Sequence, residues 1–424
     1  MTERAERHGA HNSQVFMTCL LFLVALAGRF SVPIGGDAGG QALELRTIAC
    51  STLAVVTFFW RFRLDRAVRR SRWPSGMVVV MMLIGYQMVS ALWAPMGART
   101  GESVGNLVAL ATLVVCGVVI ARPDPDRMAR ILLWCAMLAA VLYALEAFWA
   151  GPGLQGRYSA FGGGPNVFVR VQCVGVISAI SLATMLRRYS ILLIVPLLLV
   201  AAVLSGSRGG LVSLIGTAVA FAVLLRRRLG VGKIVGVAAS GASACAVIWH
   251  FMEADLYEAV AHRYSIDAVL AGNYSSRPRL AADAMSIFSE APVVGAGLDS
   301  FYPTVGYAIG IDHAHNYLAS LAADGGLIGV SLLLLAVVRL WRDGRPWSRR
   351  PIEIYGCFLA AVYLGMASLF SGDYYDTRFI WIFAAVLTVA SDSRLTGRPP
   401  ERSLVALETQ LPHRWCDVPG AGRR

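Results

Sequence analysis

Apolar residues occur in long blocks along most of the chain, and short polar stretches separate them. The blocks fall near 15–34, 42–60, 76–94, 103–121, 130–150, 168–186, 190–205, 209–225, 232–252, 314–341, 353–371 and 378–392. A helix of about 20 residues crosses a bilayer, and its backbone must be satisfied internally because no water is present there. The pattern therefore predicts an all-α polytopic membrane protein with about twelve transmembrane helices.

One polar stretch is much longer than the others, and it divides the chain. The predicted segments are an N-terminal tail at 1–14, transmembrane helices 1–9 at 15–252, a polar loop at 253–313, transmembrane helices 10–12 at 314–392 and a C-terminal tail at 393–424. Within the loop, 253–265 and 277–290 predict short helices, and the second places Leu280, Ala284, Ile287 and Phe288 on one face. The turn-like residues 291–297 follow it. The loop is therefore expected to be a folded cap on the membrane.

Composition supports this class and adds an orientation. The chain is 56% hydrophobic and 15% charged, and its net charge of +12 is almost entirely arginine, because Lys233 is the only lysine. Arginines crowd every second loop, which predicts that these loops and both termini are cytoplasmic. The loop at 253–313 then faces outward, toward the periplasm. This distribution is typical of orientation in a membrane and argues against nucleic acid as a partner.

Metal and cofactor chemistry is not expected. The eight cysteines lie mostly within apolar blocks, and no CxxC spacing occurs, so neither a disulfide framework nor a zinc site is predicted. Asp124-Pro125-Asp126 resembles the DxD of metal-dependent glycosyltransferases, but it is predicted on the cytoplasmic side, where Asp-Pro pairs commonly begin helices.

Several arginines remain on the outward side against the general bias. Those near the ends of spans include Arg157, Arg170, Arg208, Arg277 and Arg279. Guanidinium groups pair with phosphate in bidentate fashion, and more strongly away from bulk water, so these residues suit an anionic lipid-linked substrate. In residues 205–210, glycines would let backbone N–H groups and Arg208 approach a phosphate. The alternative is an arginine that snorkels at a short turn.

His315 precedes the span that begins with Asn316. An imidazole with a near-neutral pKa would take a proton from a sugar hydroxyl, whereas the simpler alternative is a histidine that caps the helix. His313 competes for the same role. A two-histidine metal site is disfavoured, because positions i and i+2 of a helix point apart and Asp312 is the only acidic neighbour.

Asp324 lies about nine residues into the same span. An unpaired carboxylate at that depth costs roughly 2.5–3.5 kcal/mol. It is therefore expected to face the protein interior and to pair with an arginine or a backbone donor.

These residues, in this order, resemble the O-antigen ligase and polymerase superfamily of bacterial envelope glycan enzymes. The matching parts are Arg157 to Asn166, residues 205–210, residues 277–301, and His315-Asn316-Tyr317-Leu318 followed by Asp324 and Gly326. A ligase pattern of histidine followed eleven positions later by glycine is met by His315 and Gly326. Two positions depart from the family: Asp324 stands where many members have glutamate, and Val212 stands where a ligase pattern prefers leucine.

The resemblance implies a GT-C-like fold and a metal-independent glycan transfer on the periplasmic face of the bacterial inner membrane. The donor would be a glycan on undecaprenyl diphosphate, and the acceptor lipid A–core or another glycan. Arg208 and Arg277 or Arg279 would bind the diphosphate, with Arg157 and Arg170 nearby. His315 would activate the acceptor, supported by Asn316, Asp324 and Gly326.

Three other functions stay open at this point. A polymerase of repeat units and a protein O-oligosaccharyltransferase would use the same donor on the same scaffold. A transporter of polar solutes would belong to a different class, in which ionisable groups near the midplane and inverted repeats are usual. The outward clustering of charge in this chain favours chemistry at the membrane surface.

Overall fold

The computed structural model describes residues 2–27, 31–33, 42–64, 66–69, 71–153, 156–225, 277–343 and 351–395. The helices of this part are α1 Thr2–Leu26, α2 Leu45–Phe62, α3 Arg66–Arg69, α4 Ser75–Val89, α5 Thr100–Ala121, α6 Pro125–Ala150, α7 Pro165–Leu186, α8 Ile194–Leu204, α9 Arg208–Leu225, α10 Arg277–Glu290, α11 Tyr307–Ile309, α12 Tyr317–Asp343, α13 Ile352–Ser368 and α14 Arg378–Leu395. Short 3-10 helices cover Ser90–Trp93, Tyr189–Leu193 and Tyr375–Thr377, and a π-helix covers Tyr302–Gly306. Strands β1 Ser31–Pro33 and β2 Ala42–Glu44 pair in antiparallel fashion.

The predicted polytopic helical class is confirmed. Six helical segments in the described ranges are long and apolar enough to cross a membrane: Leu45–Phe62, Ser75–Trp93, Thr100–Ala121, Pro125–Ala150, Pro165–Leu186 and Tyr317–Asp343. Shorter apolar helices cover Asn12–Leu26, Tyr189–Leu204, Arg208–Ala220 and Ile352–Ser368. The predicted span at 232–252 and the predicted helix at 253–265 lie outside the described residues. The number twelve and the GT-C-like architecture stay predictions.

Several helix boundaries have a clear local cause. Asp124 is the N-cap of α6: its Oδ1 accepts a hydrogen bond from the Arg127 N–H at 2.9 Å, and Pro125 takes the first helical position, where no N–H is needed. Asp124-Pro125-Asp126 is therefore a helix start, as its sequence suggested. α10 has the predicted limits, and three of the four residues predicted on its inner face, Leu280, Ala284 and Ile287, are buried, whereas Phe288 is half-buried.

Contacts between helix ends fall into two groups, which are the two ends of the bundle. At one end, Gln14 donates to the Asp124 carbonyl and Arg130 pairs with Glu353. At the other end, the Arg378 guanidinium donates to the Ala25 carbonyl. All these contacts join ends that the arginine pattern assigned to the same side of the membrane, so the packing agrees with the predicted alternation.

The long helix α12 is broken at Gly326, whose φ of 59° and ψ of −157° are not helical. The turn at residues 291–297 forms backbone hydrogen bonds with α12 on both sides of the break. The N–H groups of Ala296 and Gly297 donate to the carbonyls of Ala323 and Asp324. The N–H groups of Leu327 and Ile328 donate to the carbonyls of residues 292 and 293. Irregular backbone is tolerated at membrane depth where protein satisfies it, and the predicted turn at 291–297 does so here.

Candidate functional site

The turn between α8 and α9 brings two of the predicted motifs together. Gly206 has a φ of 63°, which lets the chain reverse before Arg208 begins α9. Ser207 Oγ donates to Asn166 Oδ1 at 2.9 Å, and Arg157 Nε donates to the Ser205 carbonyl at 2.9 Å. The loop around Arg157 and the turn around Arg208 are therefore one unit at one end of the bundle.

The next two glycines are packed closely against other segments. A Cβ at Gly209 would lie 2.5 Å from the Phe370 Cβ, and a Cβ at Gly210 would collide with Val169. The Cβ positions of these glycines are thus occupied by α7 and by the segment after α13, and the approach of a phosphate to their N–H groups stays a prediction. Close packing of helices explains them, and Arg208 itself stays half-buried beside this contact.

Arg170 is buried and makes several contacts with protein groups. One terminal nitrogen donates to the carbonyls of Ala367 and Ser371, and the other lies 3.5 Å from Asp376 Oδ2. Asp376 also lies 3.5 Å from Arg378. Arg170 therefore ties α7 to the connection between α13 and α14. Its direct contact with a diphosphate stays a prediction.

Arg277 and Arg279 begin α10 but differ in environment. Arg277 is half-buried and Arg279 is exposed. Burial lowers the pKa of Arg277, and the nearby positive charge of Arg170 lowers it further. A bound anion near Arg277 and Arg170 would offset the effects of burial and of like-charge repulsion, because it favours the charged form of each guanidinium.

His315 has a φ of 55°, in the left-handed region that a histidine rarely adopts. It lies in a loop, and its ring centroid is 4.4 Å from that of His313, in edge-to-face contact. The expectation that the two rings point apart on a helix was therefore wrong. The alternative that His315 caps the helix is wrong, because the cap is Asn316, whose Oδ1 accepts from the Ala319 N–H at 3.0 Å.

The imidazole of His315 does not have the near-neutral pKa that the sequence suggested. Burial, and then the neighbouring His313 and Arg277, lower its pKa to about 4, although Asp312 and Asp376 act in the opposite direction. Its Nδ1 is buried and has no hydrogen-bond partner among the described residues. At neutral pH the ring is uncharged, so it can accept a hydrogen bond from a hydroxyl group.

Asp324 faces the protein interior, as expected, and its partners are neutral donors. Its carboxylate accepts from the N–H groups of Asp299 and Ser300, from Ser300 Oγ at 2.7 Å and from the Tyr374 hydroxyl at 2.9 Å. Gly326, two residues on, has its conformation fixed by the break in α12. Both residues therefore support the shape of the site.

The connection between α13 and α14 was missed by the sequence reasoning. Tyr374 reaches Asp324, while Asp376 pairs with Arg170 and Arg378. The available clue was the polar run 371–378 between two apolar blocks on the side predicted to face outward. Within the described part of the chain, no three His, Cys, Asp or Glu side chains come together to hold a metal ion. Metal independence stays a prediction.

The fold and the site define a multi-pass helical membrane protein that gathers arginines and a neutral imidazole at one end of its bundle. Comparison with known proteins makes this class more specific. Residues 192–334, which include Arg208, Arg277 and His315, match the family model described as O-antigen ligase. The chain is also 26% identical over 339 residues to an O-antigen ligase of Pseudomonas aeruginosa, covering 78% of this chain and 77% of that protein.

The resemblance to the O-antigen ligase and polymerase superfamily is thereby confirmed. It supports O-antigen ligation or a related polymerase activity by a multi-pass bacterial membrane protein. Arg157 and Arg170 lie before the matched residues, but packing joins them to the same end of the bundle.

Proposed function

We propose that this protein is a membrane glycosyltransferase that moves a glycan from undecaprenyl diphosphate to lipid A–core on the periplasmic face of the inner membrane. The observation that carries the proposal is that Arg208, Arg277 and His315 all lie within the residues that match the O-antigen ligase family model. In support, the charge of Arg170 lowers the pKa of Arg277, and that of Arg277 lowers the pKa of His315. Cations for a diphosphate and a base for a hydroxyl are thus neighbours. The match of this region to O-antigen ligases supplies the type of reaction.

In the proposed step, the acceptor hydroxyl oxygen attacks the anomeric carbon of the donor glycan. The bond from that carbon to the diphosphate breaks, and the diphosphate leaves with the electron pair. Arg208 and Arg277 stabilise the departing negative charge, with Arg279, Arg157 and Arg170 contributing to the positive surroundings. The enzyme needs no added co-reactant, because the diphosphate is already a good leaving group.

His315 receives the hydroxyl proton in this scheme. With a pKa of about 4, the free ring is a weak base, so it orients the hydroxyl first and takes the proton as the new bond forms. The departing diphosphate then offers a final destination for that proton. His313, in contact with His315, is the alternative base.

A small pocket of about 70 Å³ between α1, α6, α7 and α14 has room for only a short part of the lipid of such a donor. Its walls are largely apolar and include Phe22, Phe379 and Phe383, and its polar lining is Arg170, Asp376 and Arg378. A largely apolar pocket beside two arginines is compatible with part of an isoprenoid diphosphate.

The decisive experiment is reconstitution of the full chain with an undecaprenyl-linked glycan, offering lipid A–core and a second donor chain as separate acceptors. Transfer to lipid A–core supports ligation. Product formed only from the second donor would identify a polymerase, and transfer to a protein acceptor alone would identify a protein O-oligosaccharyltransferase. Movement of glycan or solute across the membrane without any new bond would overturn the enzyme proposal in favour of a transporter.

A further inference from the structure

Arg99 connects three segments at the end of the bundle that carries the site. It lies between the 3-10 helix Ser90–Trp93 and α5. Its backbone N–H donates to Asp299 Oδ2 at 2.8 Å, and its Nε lies 3.4 Å from the same oxygen. One terminal nitrogen donates to Asp312 Oδ1 at 2.6 Å, and the other donates to the Asp312 carbonyl at 3.1 Å.

The planar guanidinium is held from a third direction as well. Its carbon lies 3.6 Å from the ring centroid of Tyr302, a distance at which cation and ring attract each other. Burial disfavours the charged guanidinium, but its hydrogen bonds to Asp312 and Asp299 outweigh that cost and raise the pKa of Arg99. The side chain is about one-third exposed, so solvent weakens these contacts only in part.

Asp299 and Asp312 connect Arg99 to two parts of the site, the broken helix α12 and the loop that carries His315. The N–H of Asp299 donates to Asp324 in the broken helix α12. Asp312 lies three residues before His315 in a loop without regular hydrogen bonding. On the assumption of the glycan transfer proposed above, we infer that Arg99 is a positioning residue, which fixes the loop of His315 against α12 so that the imidazole meets the acceptor hydroxyl.

The geometry requires arginine in particular. Its fork spans a carboxylate oxygen and a backbone carbonyl of one residue while Nε reaches another residue, and the point charge of a lysine cannot make these contacts together. We therefore expect Arg99→Lys and Arg99→Ala to behave alike. Asp312→Asn keeps the carbonyl acceptor and should be milder.

The test is steady-state kinetics of the full-length protein in proteoliposomes. Arg99→Ala and Arg99→Lys should lower kcat at least tenfold and leave KM for donor and acceptor within about twofold. Arg61→Ala is the matched control, because Arg61 is an exposed arginine in the last turn of α2, on the side predicted to be cytoplasmic. This variant should behave like wild type. A higher KM with unchanged kcat would overturn the inference, because Arg99 would then bind substrate directly. Wild-type kcat in Arg99→Lys would also overturn it.

A second readout does not depend on activity. The histidines are labelled with ¹³C, and the His315 signal is assigned by its loss in His315→Gln. The charged groups that act on this ring are His313, Arg277, Asp312 and Asp376. Arg99 is not one of these groups, so loss of its charge alone should leave the titration unchanged. Loss of the clamp in Arg99→Ala should instead expose the ring and raise the pKa of His315 toward its ordinary value of about 6.5, because burial is the main cause of the lowered pKa. Asp312→Asn removes an anion that raises this pKa and should lower it.

The two readouts separate the possible failures. Opposite shifts in the two variants support the clamp even if the wild-type protein transfers no glycan, in which case only the proposed function fails. Unchanged titration in both variants, with an active wild type, removes the inference and leaves the function standing. If Arg99→Ala does not fold, Arg99→Lys and Asp312→Asn give the same decision.

Discussion

Replacement of Gly326 by alanine should destabilise the protein more than any ordinary glycine substitution in a span. Alanine would have to adopt a φ of 59°, at a cost of about 1–3 kcal/mol. Its Cβ would also lie 2.5 Å from the Gly295 nitrogen and the Val293 carbonyl oxygen, so the turn at residues 291–297 would have to move away from α12. This movement would break the hydrogen bonds that Leu327 and Ile328 donate to the turn, and each of them contributes about 1 kcal/mol to stability.

The expected loss is therefore about 4 kcal/mol, from about 2 kcal/mol of backbone strain and about 1 kcal/mol for each of the two hydrogen bonds. The assay is the temperature at which half of the purified protein in detergent remains monodisperse. Gly85→Ala is a matched control, because Gly85 lies in α4, which packs on α12, and a Cβ there has nothing within 4 Å. It should keep or slightly raise the stability, as alanine favours helix by roughly 1 kcal/mol.

A Gly326→Ala protein as stable as the Gly85→Ala control would refute this reasoning. The broken helix would then be able to close into a continuous one without loss. Loss of glycan transfer with unchanged stability would also contradict it, because the role assigned to Gly326 is to hold the site's framework.

Three further expectations concern the site. Arg208→Ala and His315→Ala should each abolish glycan transfer while membrane expression stays at the wild-type level, and full activity in both would remove the assignment. Transfer requires the neutral imidazole, and burial lowers the pKa of His315 to about 4. The transfer rate should therefore stay level from neutral pH to about pH 5 and fall near pH 4. Loss of half the rate near pH 6.5, the ordinary pKa of histidine, would contradict this. Tyr374→Phe removes one donor to Asp324 and should cost about 1 kcal/mol of stability, measured by thermal unfolding against a Tyr307→Phe control.

Features that depend on local pattern were predicted well from the sequence. The apolar blocks give the helices, and the amphipathic pattern of residues 277–290 gives the limits and buried face of α10. The depth of Asp324 in a span was enough to predict that protein donors surround it. In each case the cost of an unsatisfied group in the bilayer limits the alternatives.

Features that depend on tertiary contacts between distant segments were not predicted from the sequence. The left-handed conformation of His315, its contact with His313 and its lowered pKa all follow from loops packed around it. The prediction that the rings of His313 and His315 point apart assumed a helix, but the two residues lie in a loop. The pairing of Arg170 with Asp376 joins positions more than 200 apart, and no local pattern reports such a meeting.

The break in α12 has a consequence for how the protein is made. A span normally completes its own backbone hydrogen bonds as it enters the bilayer, but α12 needs residues 292–297 for four of them. Those residues leave the ribosome before α12 does, and they must return to the membrane and dock before the span is finished. Completion of α12 in the bilayer therefore depends on docking of residues 292–297, and a chain in which these residues fail to dock is left with an incompletely bonded helix in lipid.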